Sequence, residues 1–107
     1  MEELITAIEA YETKLSGYAN AHNGNSSMYK FVFGHNIGKT YIKIWIGEVW
    51  FNHSEDILHK SVFCFVDKEG NIYKPASWQV PAKGIRGNIF DTQLPMTSRE
   101  LYSKQYR

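Results

Sequence analysis

Residues 74–91, Lys-Pro-Ala-Ser-Trp-Gln-Val-Pro-Ala-Lys-Gly-Ile-Arg-Gly-Asn-Ile-Phe-Asp, hold the densest concentration of binding chemistry in this 107-residue chain. Lys74, Lys83 and Arg86 precede the first acid, Asp91, and share the segment with Trp78, two prolines and two glycines. Fixed cationic donors beside an indole suit a phosphate-bearing ring compound, because arginine forks onto phosphate oxygens while the indole stacks on a base. Ser77 and Asn88 would add neutral hydrogen bonds. The same residues also fit a long loop pinned to a sheet by Trp78, Ile89 and Phe90 with its cations solvated, and the residues alone leave both readings open.

Other chemistries are poorly served. His22, His35, His53 and His59 lack the helical i, i+4 spacing of a metal pair, and Cys64 is the lone cysteine, whereas a structural zinc site takes four thiolate or imidazole ligands. No metal and no cofactor is expected. Cys64 sits in an apolar run, where burial would suppress its thiolate. Glu55 and Asp56 near His53 and His59 are the one acid-base grouping, and they fit an ordinary polar loop as well. No acyl-transfer elbow, phosphate-binding glycine loop or dinucleotide fingerprint is present, so a non-catalytic protein is expected.

The runs Ser61-Val-Phe-Cys-Phe-Val-Asp-Lys-Glu-Gly-Asn-Ile-Tyr-Lys-Pro-Ala-Ser-Trp and Pro81-Ala-Lys-Gly-Ile-Arg-Gly-Asn-Ile-Phe-Asp91 carry a Lys-Pro-Ala-Ser-aromatic element and a Pro-Ala-Lys element. Over about residues 60–91 they resemble a group of small proteins encoded by tailed bacteriophages. That resemblance implies an origin, a phage genome acting in a bacterial cytoplasm, rather than a mechanism. The helix and first hairpin carry no such likeness.

Composition bounds the rest. Twelve Lys and Arg face 11 Asp and Glu, a net charge of +1 that excludes a histone-like polycation and an acidic nucleic-acid mimic. The charge is uneven: residues 1–29 carry one cation against four acids, and residues 30–107 carry eleven against seven. Such a step would steer an anion to the sheet side, or else mark a solvated outer helix face. The length suits a single domain, 1–107, with one core of its own. One cysteine favours a reducing compartment, the acidic N-terminus is unlike a signal peptide, and the longest charge-free apolar run is far below membrane-spanning length. A soluble cytoplasmic protein is expected.

The elements that must position these residues follow from periodicity. Leu4, Ile8, Tyr11, Leu15 and Tyr18 form one stripe of a helix over about residues 2–18, with Glu2 and Glu3 at the positive end of its dipole. Residues 20–27 read as a loop that no core needs. Tyr29 to Phe33 and Thr40 to Ile46 read as a hairpin, with the Gly34 to Gly38 interval as its reversal and Tyr41, Lys43 and Trp45 opposite Ile42, Ile44 and Ile46. Residues 47–56 stay unassigned. His59 to Val66 is a central strand with Val62, Cys64 and Val66 on one face and Phe63 and Phe65 on the other. A turn at 67–71 returns the chain to a strand at 72–74, which Pro75 stops. Residues 75–91 form a shaped loop, and Thr97 or Ser98 caps a final helix from about Arg99 in which Leu101 and Tyr102 dock.

The expectation is therefore an α+β fold: an N-terminal helix packed on an antiparallel sheet of four or five strands, with a long structured loop. Its expected function is to bind a small anionic ligand, a nucleotide above all, through Lys74, Ser77, Trp78, Lys83, Arg86 and Asn88. In a phage setting that would sequester a nucleotide signal of host immunity. Two alternatives use the outer aromatic face instead, as a stacking platform for single-stranded nucleic acid or as an anchor on a host enzyme. The aromatic surplus of Tyr29, Tyr41, Trp45, Trp50 and Phe51 also predicts a homodimer or higher homo-oligomer.

Overall fold

The computed structural model describes residues 2–24, 28–51 and 56–103. Helix α1 (Glu2–His22) leads into strands β1 (Tyr29–Ile37), β2 (Tyr41–Trp50), β3 (Leu58–Asp67), β4 (Asn71–Tyr73) and β5 (Gly87–Asn88), and helix α2 (Ser98–Ser103) follows. The strands form one antiparallel sheet in the order β1-β2-β3-β4-β5, so each lies beside its neighbour in sequence. The α+β architecture and the helix packed on the sheet are as the periodicity dictates.

Leu4, Ile8, Tyr11 and Leu15, the stripe of α1, are buried against Ile42 and Ile44 of β2, Cys64 and Val66 of β3, Ile72 of β4, Ile89 and Leu101. Each such side chain removed from water contributes about 1.5–3 kcal/mol before the cost of ordering the chain. The Tyr11 hydroxyl donates to the Pro95 carbonyl, which ties the segment ahead of α2 to α1. Burial pushes this phenol far above its ordinary pKa, so it remains a donor. At α2 the Thr97 hydroxyl accepts the Glu100 N–H at 3.1 Å, the cap expected there, and Leu101 is fully buried. Tyr102, expected to dock, lies outside the described side chains.

Four expectations are corrected. First, β1 continues through Gly34 to Ile37, and the reversal falls at residues 38–40. Gly34 pairs with Trp45, and a Cβ there would overlap the indole ring, so this glycine serves a close approach across the strands rather than a turn. Second, α1 runs to His22, and Asn20, read as loop, is part of it. Third, Cys64 pairs with Ile44 but Val62 pairs with Trp45, leaving Phe63 as the extra residue of a β-bulge. The bulge brings Phe63 onto the helix face, edge-on to Tyr11 at 6.4 Å and to Phe33 at 5.6 Å, and leaves Val62 half-buried. A second irregularity lies where Gly47 passes His59 and Lys60, and His59 has φ 55°. Fourth, the long loop is interrupted by β5, which pairs with β4 through Asn71 with Asn88 and Ile72 with Gly87. The unassigned stretch resolves in part, since β2 extends to Trp50.

Candidate ligand-binding face

With Ile42 and Ile44 committed to the helix, strand alternation sends Tyr41, Lys43 and Trp45 to the opposite face of the sheet. Phe65 and Tyr73 join them, both edge-on to Tyr41 at 6.1 and 5.7 Å. Trp45 lies across Gly34, and the Lys60 ammonium sits 4.2 Å from the centroid of its ring. That indole is thus covered by the protein itself.

Residues 74–82 fold back over the other half of this face as a small closed hairpin. Pro75 bridges to Pro81, and the Val80 carbonyl accepts the N–H groups of Ala76 and Ser77 at 2.9 and 3.1 Å. Ala82 N–H donates to the Lys74 carbonyl at 2.8 Å. The Ser77 hydroxyl accepts from the Gln79 and Val80 N–H groups at 3.3 and 3.2 Å, which shapes the tip. There Trp78 meets β2: the Lys43 ammonium stands 4.2 Å from its ring centroid. Such cation–π contacts are worth about 0.5–2 kcal/mol.

Between this hairpin and the β1–β2 turn lies a pocket of about 420 Å³, lined chiefly by Lys39, Tyr41, Lys43, Phe65, Gln79 and Val80. Among the described residues its lining carries two ammonium groups and no acid. Its volume is within the range that holds a small ligand.

Of the six residues singled out from the sequence, Trp78 is the one brought to this pocket's flank through Lys43. Ser77 is committed to the hairpin tip. The Asn88 amide donates to the Glu69 carbonyl at 3.3 Å and to Asn71 Oδ1 at 3.1 Å, and its carbonyl accepts from Phe90 N–H at 3.0 Å, so it fastens the turn between β3 and β4 to the returning chain. Lys74 and Arg86 are half-buried and Lys83 is exposed, and none lines the pocket. The structure therefore separates these cations from the pocket and supplies Lys39 and Lys43 instead. Lys43 was legible as an outer-face residue; what the sequence hid was that the 75–81 hairpin would close over it.

Other titratable groups lie elsewhere in the fold. His35 Nδ1 lies 2.8 Å from Glu12 Oε2, joining β1 to α1. Burial raises the Glu12 carboxyl and outweighs the opposing influence of His35. Cys64 is fully buried, which pushes its thiol up. His59 Nε2 lies 4.0 Å from Glu48 Oε1; of the other members of the suggested acid-base grouping, Asp56 is exposed, and His53 and Glu55 lie outside the described residues. Among the described residues no group of three or more His, Cys, Asp or Glu is placed to hold a metal ion, and no helix is long and apolar enough to cross a membrane.

Over residues 1–105 the chain matches a family of unknown function, DUF7717, and it belongs to that family. The match takes in α1 and the first hairpin as well as residues 60–91. No curated protein and no solved structure matches it.

Proposed function

For this member of a family of unknown function, we propose a non-catalytic binding protein for a small anionic ligand that carries a ring, a nucleotide in the simplest case. The observation that carries the reading is Lys43: its ammonium stands at the wall of an acid-free pocket, held over Trp78, with Tyr41 and Phe65 beside it. A lysine at such a site acts as a point charge for phosphate oxygens, and the apolar ring edges give a base a surface to leave water against. Lys43 and Lys39 take the role first assigned to Arg86, Lys74 and Lys83. Trp78 keeps a role as the residue that positions Lys43.

The test is thermal unfolding with nucleoside monophosphates, nucleoside triphosphates, cyclic dinucleotides and inorganic phosphate as probes. A ligand at a hundred times its Kd stabilises by about 2.7 kcal/mol, and each kcal/mol moves the midpoint by roughly 4–8 °C for a domain of this size. No shift with any of these probes defeats the reading.

A single-stranded nucleic acid is less well served, because the indole of Trp45 already lies between Gly34 and Lys60 and offers no open platform. Salt separates the two: a strand contacting several phosphates gives a steep fall of log affinity with log salt, and a ligand held by two lysines gives a shallow one. A phage origin, action in the host cytoplasm and sequestration of a host nucleotide signal belong to the same proposal through the resemblance of residues 60–91. A homodimer or higher homo-oligomer belongs to it too, on the aromatic surplus of Tyr29, Tyr41, Trp45, Trp50 and Phe51.

A further inference from the structure

Strand β1 is an edge of the sheet, and its backbone is unevenly protected. In an antiparallel pair without bulges, alternate residues turn their N–H and C=O groups toward the neighbouring strand and away from it. Phe51 N–H donates to the Met28 carbonyl and Gly38 N–H to the Tyr41 carbonyl, both at 2.9 Å, so even-numbered residues face β2. Phe31, Phe33, His35 and Ile37 turn outward. At Phe31 these groups are filled by α1. The Phe31 N–H donates to Asn20 Oδ1 at 2.8 Å, and its carbonyl accepts from Asn20 Nδ2 at 3.1 Å and from the Ser16 hydroxyl at 3.4 Å. One side-chain amide does there what another strand would do.

Beyond that plug, no described residue bonds the outward backbone groups of Phe33, His35 and Ile37. The segment Phe33-Gly-His-Asn-Ile37 carries neither lysine nor proline, the residues that usually guard an open edge. Ile37 is 59% exposed. A groove of about 460 Å³ separates α1 from this edge, with Glu9, Glu12, Gly17, Val32 and Phe33 in its lining.

We infer that the open half of β1 pairs with the same segment of a second copy, antiparallel about a two-fold axis at His35. The inference rests on the dimer reading above, and its interface shares Ile37 and Lys39 with the rim of the proposed ligand pocket. A two-fold contact is self-complementary, and the plug fixes its register. The longest pairing that leaves Phe31 to Asn20 sets His35 against its own counterpart and Ile37 against Phe33 of the partner subunit. Exposed Ile37 then packs on an aromatic neighbour of the same face, as cross-strand pairs do. The charge step agrees. This register carries Lys39 of the partner subunit opposite Phe31, to the mouth of the groove that Glu9 and Glu12 line. Of the two pocket lysines, Lys43 on β2 stays clear of the contact, whereas Lys39 is shared between pocket and interface.

The test combines sedimentation with amide hydrogen exchange on the full chain. At micromolar concentration the protein should sediment at twice its 12.4 kDa, and the amides of Phe33, His35 and Ile37 should exchange slowly in the dimer and quickly on dilution. Ile37→Pro removes an outward donor that β2 does not use, and should give a monomer with unchanged far-UV circular dichroism. Should proline disturb the fold, Ile37→Lys introduces the charge that natural edges carry and should act alike. A wild type that stays monomeric overturns both the dimer and this interface. A dimer with fast exchange at all three amides, or one that survives both substitutions, overturns the interface and leaves the dimer standing.

Discussion

The Tyr73 hydroxyl donates a 2.8 Å hydrogen bond to Asp67 Oδ2 across the turn between β3 and β4. The same carboxylate accepts the Glu69 and Asn71 N–H groups through Oδ1, both at 2.9 Å, and the Asn71 side-chain amide through Oδ2 at 3.1 Å. Gly70, at φ 88°, supplies the left-handed residue that lets the turn wrap around Asp67. One short side chain thereby fixes the register that places Tyr73 beside Tyr41 on the outer face of the sheet.

That arrangement predicts a definite pH response. Burial opposes the Asp67 charge, but the hydrogen bonds outweigh it and hold the carboxyl below its ordinary value. A carboxyl lowered by folding contributes stability that is present above its unfolded pKa of about 3.9 and is lost as pH falls through the folded value. Tyr73 is pushed up to about 12 by burial and by the Asp67 carboxylate, so its contribution is present below about pH 10 and lost as pH rises through 12. Glu12, raised by burial, acts in the opposite sense to Asp67 on the acid side. Asp67→Asn should therefore lose stability at neutral pH and show a flatter acid limb than the wild type in urea titrations between about pH 5 and 2. Parallel acid limbs would show that Asp67 is not the group responsible.

Gly34→Val should destabilise the protein although valine is the better strand former. The new side chain must displace the indole of Trp45, and forcing extra atoms into a filled position costs about 1–3 kcal/mol. Trp45→Leu in the same chain should recover much of the loss, a coupling that thermal melts of the two single variants and the double variant would measure. Simple additivity would mean that the ring moves aside freely.

Legibility in the sequence divides along the range of the forces involved. The α1 stripe from Leu4 to Leu15, the alternation of Tyr41, Lys43 and Trp45 against the isoleucines, and the Asp67 to Asn71 turn are local patterns, and each fits its element in the structure. Gly34 looked like a turn residue because its reason is a ring on another strand. Phe63 looked as if it faced away from the helix because a bulge leaves no mark in an apolar run. Asn20 looked like loop because its partners, the backbone groups of Phe31, are invisible in any side-chain pattern. For the candidate site the two readings differ: the cations grouped by sequence lie in residues 74–91, whereas those lining the pocket come from β2 and the β1–β2 turn.

Cys64 should resist alkylation in the native state. It is fully buried between α1 and the sheet, and burial raises its thiol, so both access and thiolate fraction are low. Labelling by a maleimide should proceed only in denaturant, at a rate set by opening of the fold. Rapid labelling of the folded protein would place β3 outside the centre of the sheet.

Lys43→Ala should abolish ligand-induced stabilisation while leaving a folded protein, because Lys43 faces the pocket and the Trp78 ring and has no place in the core. The loss of a cation–π contact of about 0.5–2 kcal/mol is small beside the core and should lower the melting midpoint by no more than about 16 °C. Trp78→Ala should weaken binding less than Lys43→Ala, since it frees the ammonium without removing it. Lys14→Ala, on α1 and away from the candidate pocket, should respond to ligand as the wild type does. Fluorescence gives a second readout: a phosphate that draws the Lys43 ammonium off the indole should change Trp78 emission, and Trp78→Phe should remove that change while retaining binding. A Lys43→Ala protein that is stabilised by the same nucleotides to the same extent would assign the pocket no part in binding, and the 75–81 hairpin would then stand as a structural cover for the ring cluster of Tyr41, Phe65 and Tyr73.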